Sequence, residues 1–398
     1  MLATMKARLY ACLAACVPPA WCQPQPPGAA ELLAKIRAAV AENLSRLPNY
    51  TCSETIQRSS TPRNILKSSM LETVHLQVAY VEGKEFFGWP GGNIDQPEIT
   101  KLIGGSAGNG YFGLFSKAIF STREARIEYF GPEQMSGKQT IRFDYRIEKR
   151  SATYRLTTPL GQVVTGYHGS FWADPATFEL RRLTVEADDP PKAIGIAATS
   201  STMEFEPKAI GNSTFDLPRS AELLVVDLEG NAEHSRLTFS GCHQFVGESV
   251  IRFDDAEAQA PPAAAPVSVA LTLPEDFTTD FTLDTPIDWE TNGTGDAVRG
   301  VLRDGVRDQG RTIVPKGAKL TGRIVHLALR DGLYYVEIAF TSVDFPGSHA
   351  DLDGRRNGVS VNNMPLIYPT TRFKLTRGVH LTLHSRLLKS EKHDSIRP

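Results

Sequence analysis

The sequence predicts a mainly β chain: an N-terminal helix packed on a large curved antiparallel sheet, a half-barrel, followed by a small C-terminal β-barrel. Three observations predict it. Apolar residues alternate with polar ones from Tyr50 to Phe245, the signature of strands with one buried face. A single amphipathic helix precedes them. An Ala/Pro-rich run near 254–268 then interrupts the pattern, which resumes at Val269. At 398 residues the chain is too long for one ordinary domain. The expected division is a signal segment over 1–22, a half-barrel over 28–253, the linker over 254–268, a barrel over 269–388 and a polar tail over 389–398.

The first residues have the organisation of an export signal. Lys6 and Arg8 precede a short apolar run, Leu9 to Val17. Pro18, Pro19 and the small-x-small sequence Ala20-Trp21-Cys22 follow. The run is too short to span a bilayer. Leu13-Ala14-Ala15-Cys16 also has the form of a lipobox, so lipidation of Cys16 stands as an alternative to simple cleavage and release. A periplasmic or secreted location follows, or a lipid-anchored one through Cys16.

Gly28 to Leu47 is the helix. Leu32, Leu33, Ile36, Val40, Leu44 and Leu47 recur at helical spacing, and Pro48-Asn49 ends it. After it come strands at Tyr50–Arg58, Leu71–Val81, Ala125–Phe130, Gln139–Lys149, Ala152–Thr158, Val163–Trp172, Phe178–Glu186, Ser201–Pro207, Phe215–Asp227 and His234–Phe245. Turn residues such as Gly131-Pro132, Ser136-Gly137 and Glu229-Gly230-Asn231 separate them. A sheet of about nine or ten strands needs the helix to cover its apolar face. Phe86 to Phe120 breaks the rhythm with two glycine clusters and short helical pieces, and has the length and composition of a functional lid. In the second half, Phe277–Leu283, Ala297–Leu302, Lys319–Leu329, Leu333–Val343 and Phe373–Leu383 read as strands, with a tight turn at Val314-Pro315-Lys316-Gly317.

Of the five cysteines, only Cys52 and Cys242 lie beyond the first 22 residues. Two lone cysteines at opposite ends of one exported domain are best read as a disulfide, with two buried thiols as the alternative. A sheet curled into an arc would bring its first and last strands together and so permit the bridge.

Catalytic and metal motifs are missing, so no enzyme, cofactor or metal is expected. His75, His168, His234 and His243 are isolated, with no metal-ligand spacing. Gly104 to Gly110 lacks the lysine and hydroxyl ending of a phosphate loop. Gly104-Gly105-Ser106-Ala107-Gly108 matches the letters of a nucleophile elbow but follows no strand, which leaves a hydrolase as the weakest reading. Asp351-Leu352-Asp353-Gly354 lacks the closing glutamate of a calcium loop. A net charge of -2 argues against a nucleic-acid partner. Phe86, Phe87, Trp89, Tyr111, Phe112, Phe115, Phe120 and Trp172 are the candidates for walls of an apolar cavity. The alternative is that they pack as core.

Residues Leu32 to about Phe253 resemble the LolA/LolB/RseB-type half-barrel of periplasmic lipoprotein-sorting and sensing proteins. The resemblance rests on the helix, the lead-in Leu47-Pro48-Asn49-Tyr50-Thr51-Cys52 and the hairpin from Gly169 to Arg182 around Asp174-Pro175. It implies an apolar cavity between sheet and helix where a lipid or a lipoprotein acyl chain binds, or where an envelope partner docks. Tyr50-Thr51-Cys52 and Gly241-Cys242 are also similar to secreted proteins of Acidobacteria. In the second half, Thr285-Pro286-Ile287-Asp288, Gly295-Asp296-Ala297-Val298 and the run Ile313 to Ile324 resemble the β-barrel of TrbI-type conjugation proteins, which implies a docking role.

Overall fold

The computed structural model describes residues 28–64, 69–104, 110–158, 160–244, 269–270, 273, 277–352, 357–361, 364–369 and 372–385. The export signal, Cys16, the Ala/Pro run and the polar tail lie outside the described residues.

Helix α1 (Ala29–Arg46) buries Ala29, Ile36 and Val40 against the sheet and closes ion pairs Glu31–Lys35 and Glu42–Arg46 on its wet face. Pro48 denies Leu47 a helical conformation, and Leu47 is extended with ψ 119°. There follow β1 (Tyr50–Thr61), β2 (Ser69–Val81), β3 (Lys84–Gly88), β4 (Ile94–Gln96), α2 (Thr100–Ile103), α3 (Leu114–Phe120), β5 (Arg126–Met135) and β6 (Lys138–Ile147). Then come β7 (Arg155–Thr158), β8 (Gly161–Val164), β9 (Tyr167–Ala173), β10 (Leu180–Ala187), β11 (Ile196–Ile210), β12 (Ser213–Asp227) and β13 (Ala232–Gln244). Apart from the β7–β8 hairpin, these strands pair in the order β4-β3-β2-β1-β13-β12-β11-β10-β9-β6-β5, antiparallel throughout. Mainly β architecture and one large antiparallel sheet under an N-terminal helix are as the alternation predicts.

Inward positions form one core, with Ile56, Leu76, Phe143, Phe171, Leu183, Met203 and Leu237 all buried beneath α1 and α3. The Cys52–Cys242 disulfide is present, with its Cα atoms 4.1 Å apart. Its origin differs from the expectation. The two cysteines do not join the edges of a curled sheet. β1 lies mid-sheet with β13 beside it, and the register slips between Thr51↔His243 and Ser53↔Ser240, so the bridge spans a bulge in adjacent strands.

The C-terminal half comprises β14 (Val269–Ala270), β15 (Phe277–Leu283), β16 (Ile287–Asp288), β17 (Ala297–Leu302), β18 (Val306–Asp308), β19 (Arg311–Val314), β20 (Lys319–Arg330), β21 (Leu333–Phe345), β22 (Ser348–Asp351), β23 (Asn357–Val361), β24 (Met364–Tyr368), β25 (Lys374–Leu375) and β26 (His380–Ser385). Seven of these pair in a circuit, β15-β17-β20-β21-β24-β23-β26 and back to β15. They surround a second core that includes Phe281, Ile324, Ile338, Phe340 and Leu383. The Pro315-Lys316-Gly317 turn forms as read, with Gly317 at φ 87°. Phe373–Leu383 is not one strand, because the turn at Thr376–Gly378 divides it.

Candidate apolar cleft on the concave face

The inward face of the sheet is occupied in its middle by the segment from Gly110 to Phe120. Glu85 on β3 fixes the start of that segment: its carboxylate accepts the backbone N–H of Gly110 at 2.6 Å and of Phe112 at 2.8 Å. The aromatic rings then pack face to edge. Phe112 meets Phe239 at 4.6 Å, Phe120 meets Phe171 at 4.8 Å and Phe115 meets Tyr154 at 5.6 Å between centroids. Such contacts fill space; they do not leave a channel through it.

Space opens beside this plug, under the β7–β8 hairpin. The hairpin pairs only with itself. Its return passes through Gly166, where a Cβ would lie 2.9 Å from the Lys149 nitrogen, so glycine lets the two crossing segments touch. Thr165 N–H bonds the Tyr154 carbonyl, and the Thr158 hydroxyl donates to the Ile194 carbonyl. Leu156, Ile194 and Ile196 form a small apolar cluster of their own beneath it.

Between that cluster and the sheet lies a cleft of about 520 Å³. Tyr111, Phe115, Tyr154, Leu156, Ile196 and Leu223 wall it. Ser60, Thr199 and Ser201 place hydroxyls in it, and Asp227 and Glu233 contribute carboxylates. Among the described residues no histidine lines it. Leu160 at the hairpin tip is 72% exposed, an apolar side chain held in water at the mouth. Burial pushes the Tyr111 and Tyr154 hydroxyls above the usual phenol range, so both stay protonated. A smaller space of about 240 Å³ lies on the other side of the plug, against α1, lined in part by Phe112, Gly113, Ser116 and Val40.

The core next to Tyr111 holds unusual chemistry. Glu54 is turned inward from β1, and burial, then the neighbouring Glu85, raises its carboxyl to about 8. Among the described residues its Oε2 has no hydrogen-bond partner. Burial lifts Glu85 to about 7 against the pull of the Gly110 and Phe112 amides. Arg58, two positions along β1 from Ile56, pairs with Glu72 at 2.8 Å and donates to the Gly104 carbonyl at 2.8 Å.

The structure brings together part of the predicted aromatic set. Phe87, Tyr111, Phe112, Phe115 and Phe120 are buried in the core, while Phe86 and Trp89 are partly exposed. Tyr111 and Phe115 wall the larger cleft, and Phe112 the smaller. Phe86, Phe87, Trp89 and Phe120 line neither. Trp172 corrects the expectation outright: Phe171 points into the core, so its neighbour emerges on the opposite face. There Trp172 donates to Glu133 at 3.1 Å between the guanidinium groups of Arg142 and Arg182. Tyr154, Leu156, Ile194, Ile196, Ser201 and Leu223 went unread as a site. For Leu156, Ile196, Ser201 and Leu223 the only signal is the inward phase of their strands.

No family model matches the chain, and no curated protein matches it. Solved structures similar to part of it include a LolA superfamily protein from Nitrosomonas europaea, 11% identical over 55% of this chain and 94% of that one, with a TM-score of 0.27. A DUF1329 family protein from Desulfovibrio piger is 13% identical over 55% and 95%, with a TM-score of 0.28. The lipoprotein LppX of Mycobacterium tuberculosis is 13% identical over 55% and 98%, with a TM-score of 0.21. At these TM-scores the likeness carries no further argument.

Proposed function

We propose that this chain is an exported envelope protein that binds an apolar ligand, a lipid or acyl chain, in the cleft under the β7–β8 hairpin. One observation carries the reading: a cleft of about 520 Å³, walled by aromatic and aliphatic side chains with a few hydroxyls, lies under a hairpin that is not hydrogen-bonded into the main sheet. Ligand sites have that size and that mixture of apolar walls with sparse polar groups. The Cys52–Cys242 bridge supports an oxidising compartment, periplasmic or extracellular. The Ser, Thr and Tyr hydroxyls suit the carbonyl or hydroxyl oxygens of a lipid head, while the hydrocarbon meets Leu156, Ile196 and Leu223.

Titration with a fluorescent long-chain fatty acid tests the reading. Saturable binding to the full chain, lost on Ser201→Phe, is the expected result. A second reading, an interaction module with no ligand, draws on the packed rings of Phe112 and Phe239 at the centre of the concave face. Absence of binding in both proteins would favour it.

A further inference from the structure

The two halves are hydrogen-bonded to one another, and the contact is built for close approach. β3 pairs with β2 only over Gln77–Val81, which leaves the Ser69–Leu76 stretch of that edge open. The C-terminal half fills it. Thr294 N–H donates to the Thr73 carbonyl at 2.9 Å, His75 N–H donates to the Thr294 carbonyl at 2.8 Å, and Glu72 pairs with Ala328 of β20. Open strand edges are where added backbone binds. Two glycines make it possible. A Cβ on Gly293 would lie 2.5 Å from the Thr73 oxygen; one on Gly295 would fall on the His75 carbonyl and 2.8 Å from the Trp89 ring. Side chains complete the contact: His75 Nδ1 meets Asp296 at 2.6 Å, and the Arg323 guanidinium sits 5.8 Å from the Trp89 centroid.

Glu72 belongs to both sides of this contact. Its backbone pairs with β20, and its Oε2 lies 4.0 Å from His326 of the same strand. Its Oε1 accepts from Arg58, whose other arm holds the Gly104 carbonyl at the end of α2. The side chains of Glu72 and Arg58 are each only 11% exposed. Removing the C-terminal half would open this pair to water, where an ion pair holds its geometry weakly.

We propose that the docking of the C-terminal half on β2 holds the Glu72–Arg58 pair, which in turn holds the Ile103–Gly104 turn at the end of α2 in place. Coupling of this kind needs a contiguous chain of contacts whose first link can be broken. The chain here is β20, Glu72, Arg58, Gly104.

Amide hydrogen exchange on the full-length protein tests it without any ligand. In Gly295→Val the His75 and Thr294 amides exchange faster, which reports undocking. The Ile103 and Gly104 amides, bonded to Ile99 and Thr100, then rise with them by about tenfold, while Leu183 in the far strand keeps its rate. Glu72→Gln leaves His75 and Thr294 protected and still frees Ile103 and Gly104. Undocking with Ile103 and Gly104 unchanged would overturn the proposal. So would Glu72→Gln with no change at Gly104. If Gly295→Val also loses protection at Leu183, the variant has unfolded and Glu72→Gln alone decides.

Discussion

The two cores of this chain obey the same strand alternation but fill their inward positions differently. Charged groups are buried in the N-terminal core: Glu54, Arg58, Glu72 and Glu85. In the C-terminal half the buried polar residues, among those described, are Thr279 and Thr294. Folding alone explains the second core. It does not explain the first, because an ionised group taken out of water costs more than it returns unless it is fully paired. The N-terminal half therefore carries polar chemistry where an aliphatic side chain would hold the sheet better.

Changing pH should separate the halves most strongly. Glu54 and Glu85 have folded-state pKa values of about 8 and about 7 against an ordinary 4.5. The folded chain thus holds protons there that the unfolded chain has released. Their contribution to stability is complete below the ordinary value and is lost as pH rises through about 7 to 8. Each group changes stability by at most about 1.4 kcal/mol per pH unit in that window, and the neighbouring pair titrates as a unit. Urea midpoints should fall from pH 5 to pH 8.5. Replacing both residues by glutamine should reduce the fall but not abolish it, because burial also raises Asp216 to about 7.

Core truncation in the other half is the converse test. Phe340 is fully buried with its ring edge-on to Phe281 at 5.0 Å. Phe340→Ala should cost about 3–5 kcal/mol and leave the pH profile of the N-terminal half intact. Denaturation followed by hydrogen exchange would assign the loss to strands β15 to β26. Removing the bridge, by Cys52→Ser with Cys242→Ser, should cost the N-terminal half about 2–4 kcal/mol, read as a lower melting temperature that reductant no longer shifts. The smallest effect has the opposite sign. Glu54→Met should raise stability by about 1–3 kcal/mol, because it replaces a buried carboxyl whose Oε2, among the described residues, has no hydrogen-bond partner with a side chain that packs. A loss of stability instead would mean that Glu54 is satisfied in the folded chain.

Periodicity made the strands, the helix and the inward faces legible, since a run such as Val74, Leu76, Val78 and Tyr80 reports directly which face is dry. It could not say which strands pair. Cys52 and Cys242 were matched correctly, yet the reason came from β13 lying beside β1 in mid-sheet, a fact about topology. Val163–Trp172 reads as one strand because its alternation runs on, but Gly166 breaks it and sends β8 into the hairpin that roofs the cleft. The cleft residues were invisible for the same reason: Leu156, Ile196 and Leu223 look like any inward-facing aliphatics until a hairpin lifts away from them. Nothing in the sequence marks Gly293 and Gly295 as positions that require glycine. Their requirement for glycine comes from the backbone of Thr73 and His75, more than two hundred positions away in sequence.

Occupancy of the cleft under the β7–β8 hairpin is what the proposed ligand binding requires. Native mass spectrometry of the full chain, purified from a membrane-containing extract, tests that most directly. The expected spectrum shows a fraction of the protein with an added lipid mass, and loss of that species in Ser201→Phe. Bare protein alone, with no lipid analogue binding on addition, would contradict it and leave a ligand-free interaction module.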